Sequence, residues 1–77
     1  MDSAFVLISC DLGSTGEAVS ELQKVRGVEE VSMVSGIYDV VVKISAANEE
    51  DLERTNTRIR DIDKVLSTMT LIVSKSL

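Results

Sequence analysis

The stretch VSMVSGIYDVVVKIS, residues 31–45, constrains the architecture more than any other part of the chain. Two β-rich runs, Glu29 to Ser35 and Ile37 to Ser45, meet at Gly36 with room between them only for a turn. The spacing predicts an antiparallel hairpin in which Gly36 supplies the positive φ that a tight turn demands. A two-stranded hairpin is at best marginally stable in water. The segments on either side must therefore cover it.

Those flanks repeat one pattern. Before the hairpin, Ala4 to Cys10 is a compact apolar strand run, broken by Asp11-Leu12-Gly13. Ser14 then stands three residues ahead of Glu17, the spacing of a capping box. Ala18, Leu22 and Val25 recur as one helical stripe, and Gly27 ends it with Val28 folding back. After the hairpin, Asn48 suits a helix N-cap, with Glu49, Glu50, Asp51 and Glu53 at the helix's positive end and Arg54, Arg58 and Arg60 further along. Leu52, Thr55, Ile59 and Ile62 form its buried stripe, and Val65 to Ser74 reads as the last strand. The expected fold is α+β and ferredoxin-like, βαββαβ, with both helices on one face of a four-stranded antiparallel sheet.

Two helices cover only one side of such a sheet. Strand 3 divides into Tyr38, Val40, Val42 and Ile44 against Asp39, Val41 and Lys43. The last strand divides into Met69, Leu71 and Val73 against Thr68, Thr70 and Ile72, and the mixed second set is the expected open face. Strand 1 is apolar on both sides, with Phe5 and Leu7 opposite Val6 and Ile8. One of those pairs stays wet in a monomer. The assigned interface set is Val6, Ile8, Val41 and Ile72, and a patch of this kind marks an interface.

Composition agrees with association. A single domain of 77 residues buries only about 60% of its unfolded surface. Cys10 is the one cysteine and there is no histidine, so neither a disulfide nor a zinc cluster can staple it. No cofactor is expected. The unpaired thiol, an apolar run too short to span a bilayer and the acidic Asp2 start predict a soluble, cytoplasmic protein with no membrane partner. With 13 acids against 8 bases, the chain lacks the clustered positive charge that direct nucleic-acid binding needs.

Catalytic chemistry finds little support. Cys10 has no evident base partner and reads as a small buried hydrophobe. Gly13-Ser14-Thr15-Gly16 lacks the Lys-[Ser/Thr] ending of a phosphate loop and reads as a helix cap. The acids of the second helix follow from its macrodipole, and Met33 and Met69 read as core. On pattern alone Asp39 is an outward strand position, and Ser67, Thr68 and Thr70 reflect β-propensity.

The segments VRGVEEVSMVSGIYDVVVKISA and VLSTMTLIV give the chain a resemblance to the effector-binding (RAM) domain of Lrp/AsnC-type transcription regulators, along essentially its whole length. The features carrying it are the Gly-Val step before strand 2, the G-x-Y-D hairpin and the hydroxyl-rich start of the last strand. The resemblance implies sheet-face dimers that assemble further, commonly to octamers, and amino-acid effectors bound between subunits. Residue by residue, it places an inter-subunit effector site on Gly36, Tyr38, Asp39, Ser67, Thr68 and Thr70. Asp39 would take the ligand's ammonium group, while free backbone N–H groups and hydroxyls would take its carboxylate. In this topology strand 1 separates Asp39 from Thr70, so convergence calls for two chains.

Full-length regulators of this kind carry a helix-turn-helix domain ahead of the first strand, which here starts at residue 4. The expectation is a stand-alone, non-enzymatic RAM domain that binds amino acids, self-assembles and joins full-length regulators. Two alternatives share the topology: a small dimeric α+β barrel enzyme and a purely structural assembly module. One Phe, one Tyr and no His or Trp leave the enzyme poorly equipped.

Overall fold

The computed structural model describes residues 1–74. Its elements run β1 (Asp2–Cys10), α1 (Thr15–Gln23), β2 (Val28–Met33), β3 (Val40–Ala46), α2 (Glu49–Arg60) and β4 (Val65–Ile72). The strands form one antiparallel sheet in the order β2-β3-β1-β4. This is the ferredoxin-like arrangement expected from the pattern. Both helices pack on one face, where Ala4, Val6, Ile8, Val40, Val42 and Ile44 meet Ala18, Leu22, Leu52 and Ile59 in a single core.

The caps differ between the helices. Asn48 has extended backbone (φ −151, ψ 172), and its side chain accepts from the Asp51 N–H at 2.9 Å. Ser14 occupies the same position ahead of α1, but at φ −112, ψ 11 its side chain makes no cap hydrogen bond. The capping box read from Ser14 and Glu17 is therefore not formed. Only the Ser14 carbonyl takes part, accepting from the Ala18 N–H at 3.0 Å.

The hairpin is present but looser than a tight turn. β2 stops at Met33 and β3 begins at Val40, and the Val34 N–H closes the connection on the Asp39 carbonyl at 2.9 Å. Gly36 sits within that connection at φ +138. Tyr38 therefore does not belong to the strand face shared by Val40, Val42 and Ile44.

The faces of the sheet correct the expected interface set. Val6 and Ile8 have 0% exposure and belong to the core beneath the helices. Register pairs Leu7 with both Val41 and Met69, and Phe5 with both Lys43 and Leu71. These residues form the open face, where Phe5 is 38% exposed and Met69 and Leu71 are each 49% exposed. Val41 keeps its expected place there. Ile72 pairs with buried Ala4 and so shares the helix-side parity, yet it remains 55% exposed, two residues beyond Thr70. Met33 and Met69, read as core, are both exposed.

Thr68 and Thr70 fall on the helix side, paired with buried Ile8 and Val6, and for Thr70 α2 offers a partner. The Thr70 hydroxyl donates to Asn56 Oδ1 at 2.8 Å, and Asn56 is buried. A hydroxyl that finds a buried amide partner can occupy a helix-side position that a hydrophobicity count would give to Met or Leu.

Gly27 controls how closely α2 approaches the sheet. It has φ +98, and a Cβ there would lie 2.8 Å from Thr55 Oγ1 and 3.3 Å from the Ser45 carbonyl oxygen. Gly27→Ala adds a left-handed backbone penalty to that collision and should cost about 2 kcal/mol. Gly36→Ala, with nothing within 4 Å of its would-be Cβ, should cost about 1 kcal/mol. Urea unfolding of the two variants checks the order, which an equal loss would contradict.

Candidate functional site

The β2–β3 connection hangs at one end of the sheet, and Asp39 fastens it there. Its N–H donates to the Ile8 carbonyl at 2.8 Å, continuing the ladder with β1. Its Oδ2 accepts the Cys10 N–H at 2.8 Å, where the β1–β4 register shifts between Ser9 and Cys10. An ionised acceptor makes a stronger bond to an amide than a neutral one does. Asp39 is thus a half-buried anchor joining the connection to the end of β1, rather than a strand residue simply facing solvent.

Tyr38 extends from the same connection over the open face. Its hydroxyl approaches Met69 Sδ at 3.8 Å, a weak hydrogen bond. Met69 lies on β4, with β1 between it and β3, so this contact links the β2–β3 connection to β4 across β1. Met69 is the site residue that sequence reasoning missed. Its alternation with Thr68 and Thr70 was visible, but nothing local decided which set faced out.

The residues expected to hold an effector separate into groups. Tyr38 and Asp39 come together at the sheet end, with Gly36 exposed in the same connection. Ser67, paired with Ser9, is exposed on the open-face side of β4. Thr68 and Thr70 are half-buried on the opposite side, and the Thr70 hydroxyl is already engaged by Asn56. The three hydroxyl residues therefore do not line one surface. Within one chain, β1 separates Asp39 from β4, as the topology requires.

Cys10 is buried, and burial pushes its thiol above the ordinary range, with the Asp39 carboxylate adding to the effect. A thiol held neutral is a poor nucleophile. Among the described residues, no group of three or more His, Cys, Asp or Glu side chains could hold a metal. No helix among them is long and apolar enough to cross a membrane.

The family model for the Lrp/AsnC ligand binding domain matches residues 3–77. The chain belongs to this family. A similar relative is the HTH-type transcriptional regulator FL11 of Pyrococcus furiosus, 39% identical over 72 residues, covering 94% of this chain and 48% of the relative. The chain thus spans about half the length of these curated relatives. The homocitrate synthase of Sulfurisphaera tokodaii is 33% identical over 75 residues, 96% of this chain but 16% of that protein. Among solved structures, FFRP-DM1 superposes with a TM-score of 0.90 at 31% identity, covering 95% of this chain and 99% of that one. A feast or famine regulatory protein from M. tuberculosis, complexed with L-methionine, superposes with a TM-score of 0.82 at 28% identity, covering 99% of this chain and 52% of that one.

Two outcomes test Asp39 as an anchor. Removing the acceptor in Asp39→Ala strands the Cys10 N–H and should cost about 1–3 kcal/mol in urea unfolding, whereas Asp39→Asn keeps an acceptor and should cost less. The raised Cys10 pKa means that the folded state holds its proton longer than the unfolded state does. Its stabilising contribution is complete below the unfolded thiol's pKa of about 8.5 and fades as pH rises through the folded value. Alkylation of Cys10 in the folded protein should accordingly require a higher pH than alkylation in urea, and identical profiles would contradict the assignment.

Proposed function

We propose that this chain is a non-enzymatic amino-acid-binding module of transcription regulation. It associates through the open sheet face and joins assemblies with full-length Lrp/AsnC regulators. The observation carrying this reading is the position of the Tyr38–Asp39 connection at the end of an uncovered apolar face. A second chain packed on Phe5, Leu7, Val41, Met69 and Leu71 would bury that face and could complete the site from its own β4. Burying each large apolar side chain fully is worth roughly 1.5–3 kcal/mol, a large gain for a domain of this size.

An α-amino acid suits the groups present. One carboxylate oxygen of Asp39 accepts from Cys10, which leaves the other to receive an ammonium group. Tyr38 can donate to a carboxylate once it exchanges its weak contact with Met69. The relative complexed with L-methionine supports an amino-acid ligand. The homocitrate synthase match, over 16% of that protein, fits a unit that can also form part of a longer enzyme chain.

A thermal-shift screen against the twenty amino acids should raise the melting temperature for a selective subset, since a ligand stabilises the state it binds. For the best ligand, Asp39→Asn should lose at least tenfold in affinity by calorimetry while its circular dichroism stays native. A flat screen would favour the structural-module reading. Sedimentation should give an assembly larger than 8.4 kDa, and Leu71→Glu should shift it to monomer. A wild-type chain that remains monomeric at micromolar concentration would refute association through this face.

A further inference from the structure

On the helix side, far from the Tyr38–Asp39 connection, three arginines surround a cleft. It has a volume of about 370 Å³ and is lined by Arg26, Gly27, Ser45 to Ala47, and Asp51, Arg54, Thr55 and Arg58 of α2. The floor is made of small residues. Thr55 fixes the geometry, since its single hydroxyl proton is shared between the Arg26 carbonyl at 3.3 Å and the Asp51 carbonyl at 3.2 Å. That contact, made possible by the missing Cβ of Gly27, holds the Arg26 backbone against the turn of α2 that carries Arg54 and Arg58.

The charges are unevenly balanced. Arg54 is neutralised by Glu50 at 3.0 Å and Asp51 at 3.1 Å. Among the described residues, neither Arg26 nor Arg58 has a carboxylate within ion-pair distance, although the chain carries 13 acids against 8 bases. Glu17, Glu21, Asp61 and Asp63 line the neighbouring groove that Arg58 also borders, without pairing with it. Arg54 and Arg58 stand at i and i+4, a like-charge spacing that destabilises a helix by several tenths of a kcal/mol. Arg26 and Arg58 both line this cleft without an ion-pair partner among the described residues. Two guanidiniums together match a dianion, and the guanidinium fork suits phosphate oxygens presented in more than one direction.

We propose that this cleft binds the phosphate dianion of a small phosphomonoester, with Arg26 and Arg58 as its ligands and Arg54 as a partly shielded third donor. The site is separate from the amino-acid site and does not depend on that reading. Calorimetry of the full chain tests it with inorganic phosphate, glycerol 3-phosphate and adenosine monophosphate, using acetate and chloride as controls at matched ionic strength. The phosphates should bind at least tenfold more tightly than acetate, and the two monoesters more tightly as pH rises through their second phosphate pKa of about 6. Arg26→Gln and Arg58→Gln should each weaken binding at least tenfold, while Arg60→Gln, outside the cleft, leaves it unchanged. Amide chemical shifts should move at Gly27 and Thr55, and the variants' native spectra will show that they fold. Equal heats with chloride or acetate would overturn the proposal, as would a loss in Arg60→Gln matching that in Arg58→Gln.

Discussion

Strand β1 is hydrogen-bonded along both edges, to β3 on one side and β4 on the other, and the rest of the molecule takes its orientation from that strand. Because side chains alternate across a sheet, placing Val6 beneath the helices places Ile8, Val42 and Val40 there as well. The same choice sends Leu7, Val41 and Met69 to the opposite side. A slip of one residue would exchange the two sets completely. The core is small, so each fully buried β-branched side chain contributes a sizeable share of the total stability. The register is therefore held firmly, and so is the identity of the face left uncovered.

The candidate effector site depends on the same strand. Where β1 shifts register after Ser9, the Cys10 amide bonds to the Asp39 carboxylate. One residue thus ends the strand pairing and ties down the connection that carries Tyr38. This dual position explains why an acid is placed where an apolar strand begins. The carboxylate is preorganised by its structural bond, so holding a ligand with the other oxygen requires little further ordering.

The order of elements was legible because each rests on local signals: β-branched runs, two helical stripes, and glycine where the chain must turn. Asn48 was legible as a cap for the same reason, since extended backbone aims its side chain at the first helical turn. Ser14 carried the same sequence signal but sits in a backbone conformation that turns its hydroxyl away from that role. The sheet faces could not be read, because Phe5, Val6, Leu7 and Ile8 are all apolar. The residue that decides the matter for Thr70 is Asn56, on another element. Hydrophobic counting puts hydroxyls outside, and a buried amide partner reverses that choice. The apolar side that remains open is the side a second chain can cover.

Strand β3 also separates the two proposed ligand sites. Asp39 precedes its first residue, and Ser45 and Ala46, in the floor of the arginine cleft, lie at its far end. Seven residues at about 3.3 Å each put roughly 20 Å between the two ends, too far for two small ligands to touch. Coupling between the sites would need β3 to move, yet Val40, Val42 and Ile44 are all fully buried and anchor the strand along its length. Sliding by one residue would expose the three together, so β3 acts as a rigid spacer. Communication between the sites would then have to pass through assembly, with each ligand favouring one packing of chains over another. Such coupling is reciprocal by thermodynamic necessity, and an isolated protomer would lack it.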